Sequence, residues 1–88
     1  MLDTLKELCS LSAASGDEKS VRDYIISKID GKADWYTDNL GNIIAFKKGK
    51  NKSCKRLMAD AHMDEVGLII SSVTDDGFLK FHTVGGID

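Results

Sequence analysis

The apolar residues of this chain change their spacing at about residue 30, and that change limits the fold more than any other feature. Leu2, Leu5, Leu8 and Cys9 recur at three- and four-residue intervals, which places them on one face of a helix. Ser10 to Gly16 is small and polar and reads as a loop. Ser15-Gly16-Asp17-Glu18 fits a capping box. In that motif the Ser15 hydroxyl accepts from the Glu18 N–H, and the Glu18 carboxylate reaches back to the Ser15 N–H. Behind it, Val21, Tyr24, Ile25 and Ile29 share one face of a second predicted helix over about Asp17–Ile29, and Gly31 is placed to end it.

From Ala33 onward the pattern is that of strands and tight turns. Ala33 to Thr37 contains the strand-favouring Trp35 and Tyr36. Asp38-Asn39-Leu40-Gly41-Asn42 is dense in residues that tolerate turn geometry. With no proline in the chain, Gly, Asn and Asp must make the turns. Ile43–Lys47 and Lys55–Ala61 read as strands, and Val66–Val73 as the most apolar, central one. Asp75-Asp76-Gly77 signals a hairpin into Phe78–Val84, which Gly85-Gly86 would end. Two N-terminal helices followed by about five strands make a mixed α/β fold.

Charge and composition narrow the class. A net charge of −2 and a pI near 5.6 argue against a general nucleic-acid binder. A hydrophobic fraction of 42% argues against global disorder. Met1-Leu2-Asp3 shows no basic leader, and Leu68-Ile69-Ile70 is far too short to span a membrane. Cys9 and Cys54 form no CxxC pair and are expected to be reduced thiols in a cytoplasmic protein.

Two groups of residues could carry chemistry. Lys47, Lys48, Lys50, Lys52, Lys55 and Arg56 form a basic tract. A phosphate or nucleic-acid patch is one reading. The preferred one is a solvated hairpin tip whose lysines block edge pairing, because no aromatic lies within the tract to stack a base. The sharper group is Asp60-Ala61-His62-Met63-Asp64-Glu65, between two predicted strands, where α/β sheets present reactive groups. An imidazole is a common metal ligand, and a carboxylate two residues on can orient its ring. By spacing alone a surface histidine remains the commoner outcome. His82, within an alternating strand, reads as an ordinary strand residue, and Asp60 as a polar residue turned to solvent or to a backbone N–H.

Ala61-His62-Met63-Asp64-Glu65-Val66-Gly67 resembles the first metal-ligand motif of the glutamyl and deblocking aminopeptidase family, some of whose members are labelled endoglucanases. Further matches follow in that family's order. Ser15-Gly16-Asp17-Glu18 resembles its entry to the second helix, and Asp38–Asn42 its D-x-LGN turn. Asp76-Gly77-Phe78-Leu79 and Val84-Gly85-Gly86-Ile87-Asp88 resemble the hairpin and the segment leading into the family's inserted β-rich domain. The resemblance implies a cytoplasmic dinuclear metallo-exopeptidase that acts on peptides and assembles as a homo-oligomer, with no nucleic-acid or membrane partner. It implies that residues 1–88 are the leading part of a zinc-peptidase-like α/β/α catalytic domain, ending at the junction with the inserted domain.

Carried over by position, the resemblance makes His62 a metal ligand and Asp64 the catalytic aspartate that supports it, and gives Glu65 no catalytic role. The family's other ligands for its two zinc or cobalt ions, and its glutamate general base, match nothing in this sequence. Catalytic zinc sites take about three protein ligands. The expectation is therefore an N-terminal section of an aminopeptidase that is inactive by itself and binds no metal stably. The alternative is a non-catalytic interaction or structural module that self-associates through an exposed sheet edge.

Overall fold

The structure is a computed structural model and describes residues 1–51 and 55–88. Lys52 of the basic tract and Cys54 lie outside the described residues. Helix α1 spans Leu2–Cys9 and helix α2 spans Lys19–Ile29. α2 begins two residues later than the sequence predicts. The capping box is replaced by a shorter link, in which the Gly16 N–H donates to Glu18 Oε1 at 2.6 Å. Glu18 thus takes the N-cap position and no side chain caps α2. Its carboxylate is engaged upstream of Lys19 and is not returned to Ser15.

The two helices meet through polar groups. The Tyr24 hydroxyl donates to Glu7 Oε2, and Lys28 Nζ lies 3.6 Å from the same oxygen and 4.9 Å from the Tyr24 ring centre. The Tyr24 hydrogen bond, then the Lys28 charge, lowers the pKa of Glu7. The same hydrogen bond raises that of Tyr24. In the loop between the helices the Ser20 hydroxyl donates to the Ser12 carbonyl at 3.0 Å. Ala13 and Val21, 2% and 6% exposed, are the buried apolar residues of the described chain.

Strands β1 (Asp34–Thr37) and β2 (Ile43–Phe46) form an antiparallel hairpin. Asp38 builds its turn. Oδ1 accepts the N–H groups of Leu40 at 3.0 Å and Asn42 at 2.9 Å, and Oδ2 accepts from Asn42 Nδ2 at 2.8 Å. These bonds, the Asn42 side chain first, stabilise the ionised carboxylate and lower its pKa. Gly41 sits at φ 87°, and a Cβ there would fall 2.7 Å from Arg22 Nη1. That nitrogen donates to the Gly41 carbonyl at 3.4 Å, tying α2 to the turn.

Strands β3 (Gly67–Val73) and β4 (Leu79–Val84) form a second antiparallel hairpin. The register shifts between Ile70 and Ser72, leaving Ser71 as the extra residue of a bulge. Without it, Val73 would turn away from Leu68 and Ile70. With it, Leu68, Ile70, Val73, Leu79 and Phe81 share one face, each 53–65% exposed. Gly77 closes the turn with its N–H on the Thr74 carbonyl at 2.9 Å.

The fold is the expected mixed α/β type with four strands in two separate sheets, not five. The expected strand over Lys55–Ala61 does not form; the run is irregular, with Leu57 97% and Met58 85% exposed. An apolar run becomes a strand only when a neighbouring edge takes its backbone groups, and no strand of the described residues does so here. The radius of gyration is 17.9 Å, against about 12 Å for a compact chain of this length. Among the described residues no helix is long and apolar enough to cross a membrane.

Gly41→Ala is expected to cost about 1–2 kcal/mol of local stability, since it forces an L side chain to positive φ and displaces Arg22. Amide exchange at Asn42 should accelerate correspondingly. An unchanged rate would contradict the turn as described.

Candidate metal-ligand site

Residues 55–64 run irregularly toward β3, and His62 and Asp64 meet within this run. His62 Nδ1 lies 2.9 Å from the Asp64 carbonyl oxygen and 3.1 Å from Asp64 Oδ1. Both are acceptors when the carboxylate is ionised, so in the neutral ring Nδ1 carries the proton. The Nε2 lone pair is thereby left for a ligand or a proton. The His62 side chain is 85% exposed and that of Asp64 43%, so the ring tip is accessible while the carboxylate is partly screened.

Beyond Asp64 the chain is fastened to the loop between the helices. The Glu65 N–H donates to the Ala13 carbonyl at 2.8 Å, and the Ala13 N–H donates to Glu65 Oε1 at 3.4 Å. Ala14 and Glu65 form a parallel β-bridge. Gly67 permits the approach, since a Cβ there would lie 3.1 Å from Ala14 Cβ. The sequence pattern places Glu65 in the candidate group but gives it no catalytic role and no partner. Its contacts are with a residue 52 positions away, and spacing carries no signal for such a pair.

The arrangement supplies one imidazole with its second nitrogen free and one carboxylate oriented on that ring. This fits one ligand position and its support. Among the described residues no group of three His, Cys, Asp or Glu side chains converges on a metal position. Asp60 is exposed, as its sequence context suggests, and His82 is exposed on β4. Two open grooves, of about 610 and 1150 Å³, border the end of β2, and neither is lined by His62 or Asp64. The larger is bordered by Lys47, Lys48, Lys50, Lys55 and Arg56.

The M42 glutamyl aminopeptidase family profile matches residues 41–88, which contain His62, Asp64 and the turn of the second hairpin, and the chain belongs to that family. A protein of Acetivibrio thermocellus, provisionally named an aminopeptidase, is 43% identical over 88 residues, covering 99% of this chain and 26% of that relative. A crystal structure labelled endoglucanase from Thermotoga maritima superposes with a TM-score of 0.84 at 52% identity, covering 96% of this chain and 27% of that one. The TET1 peptidase of Pyrococcus horikoshii, described as assembling into a tetrahedron or a large octahedral shell, matches with a TM-score of 0.83 at 40% identity, over 99% of this chain and 26% of its own. The chain therefore spans about a quarter of the length of the relatives it matches.

Proposed function

We propose that these 88 residues correspond to the leading section of a metal-dependent aminopeptidase catalytic domain, and that alone they do not turn over peptide. The observation that carries the reading is the His62–Asp64 pair, with the Nδ1 proton held at 2.9 and 3.1 Å and Nε2 left free, inside the segment matched to the family. In this reading His62 is a metal ligand, and Asp64 keeps its ring in the ligating tautomer. When bound, two divalent ions, zinc or cobalt, supply Lewis-acid polarisation of the scissile carbonyl and a lowered pKa for the attacking water. The whole enzyme would act on the free N-termini of peptides in the cytoplasm as a homo-oligomer. The section in hand would end where the family's inserted β-rich domain begins. One imidazole and one carboxylate fall short of the roughly three protein ligands such sites use, which supports the inactivity of this section.

The purified chain, incubated with zinc or cobalt and an aminoacyl chromogenic substrate, is expected to give no turnover above that of the metal alone. Turnover abolished by a chelator would contradict this. The aminopeptidase origin has its own check in the nucleotides after the Asp88 codon. A frame continuing to a later aspartate, paired glutamates and a histidine is expected, and a stop codon there would contradict the reading.

A second reading is favoured by the β3–β4 hairpin. Its apolar face could pack against the same face of a second copy without desolvating a charge, making a non-catalytic, self-associating module. The notion differs from simple edge pairing because it uses a face and leaves the strand edges open. Light scattering after size exclusion, at about tens of micromolar, where exposed apolar surface drives association, should then show a dimer or larger species. A monomer would rule this reading out.

A further inference from the structure

We propose that Ala13 and Glu65 form a positioning clamp that sets the ring tautomer and direction of His62 through the peptide group joining Asp64 to Glu65. That peptide group is bonded on both sides. Its N–H, from Glu65, donates to the Ala13 carbonyl at 2.8 Å, and its C=O, from Asp64, accepts from His62 Nδ1 at 2.9 Å. A trans peptide is planar, and its N–H and C=O point in opposite directions. Fixing the N–H on Ala13 therefore aims the C=O at the imidazole.

The anchor is suited to this. Ala13 is 2% exposed, so its backbone groups have little access to water and are costly to leave unpaired. Glu65 satisfies both of them, the C=O with its own N–H and the N–H with Oε1 at 3.4 Å. The carboxylate arm is the longer of the two, and it keeps the loop from sliding along the backbone arm. The neighbouring Ala14–Glu65 bridge and the close approach at Gly67 hold the two segments side by side. Glu65 is thus a positioning residue that acts on His62 without touching it. Two acceptors from Asp64, one of them fixed in space by Ala13, select the Nδ1–H form and leave Nε2 unprotonated.

The purpose of the clamp rests on reading His62 as a metal ligand, but the tautomer is measured without metal. Long-range ¹H–¹⁵N correlation spectra of the 88-residue chain, at a pH where imidazole is neutral, report the His62 ring form directly. The unaltered chain is expected to show Nδ1–H. In Glu65→Ala the Nε2–H fraction should rise roughly threefold to tenfold, the range expected for losing one hydrogen bond. Glu65→Gln, whose Oε1 still accepts from Ala13, should restore the original form. A Glu65→Ala chain with an unchanged tautomer, whatever its thermal stability, would overturn the clamp. So would a Gln variant that behaves like Ala. If Glu65→Ala does not fold, exchange in the unaltered chain decides: the Glu65 amide should exchange about tenfold more slowly than that of Met63, and equal rates would overturn the proposal. A chain that shows the predicted tautomers but does not respond to zinc would sink the metal-ligand reading and uphold the clamp.

Discussion

The hydrogen bond from the Glu65 N–H to the Ala13 carbonyl joins the two ends of this chain's architecture. On one side lies the loop between the helices, which holds Ala13, the most buried of the described residues. On the other lies the irregular run that presents His62 and leads into β3. The bond also lies one peptide plane from the imidazole. A shift of the helical section would therefore be felt at His62 through that peptide group, with the Glu65 carboxylate as a second link.

Apart from that junction, the structure is rich in local order and poor in burial. Each hairpin is closed by a well-bonded turn, at Asp38–Asn42 and at Thr74–Phe78. Isolated two-stranded hairpins are marginal in water, because a single pair of strands covers neither of its faces. The bulge at Ser71 lines up five large apolar side chains, yet nothing among the described residues covers them. The extended radius of gyration has the same cause, since the two sheets remain separate. The chain spans about a quarter of the length of the relatives it matches, and a section of that size buries little apolar surface by itself.

Much of this was legible in the sequence, wherever the determining forces are local. The three- and four-residue apolar spacing marked both helices, and Gly31, at φ 71°, stands just beyond the end of the second. Asp38 and Gly41 announced their turn, and Asp76-Gly77 the second hairpin. The His62–Asp64 pairing was readable because the two residues are separated by only one position. The errors came where a distant partner or the exact loop conformation decides the outcome. Leu57-Met58-Ala59 has strand character but no neighbouring edge among the described residues to pair with. Glu18 satisfies Gly16 in place of Ser15, a choice between adjacent N–H groups that depends on loop conformation. The pairing of Glu65 with Ala13 leaves no periodic trace, because it is made across the fold.

In the proposed function His62 is a preoriented single ligand, with Nδ1 committed to Asp64 and Nε2 open. A zinc titration of the 88-residue chain followed at the two ring nitrogens of His62 tests it most directly. The account predicts that the Nε2 resonance moves, in a weak single-site response, while Nδ1 keeps its proton throughout. An Nε2 resonance that stays in place, or a metal that displaces the Nδ1 proton, would contradict it.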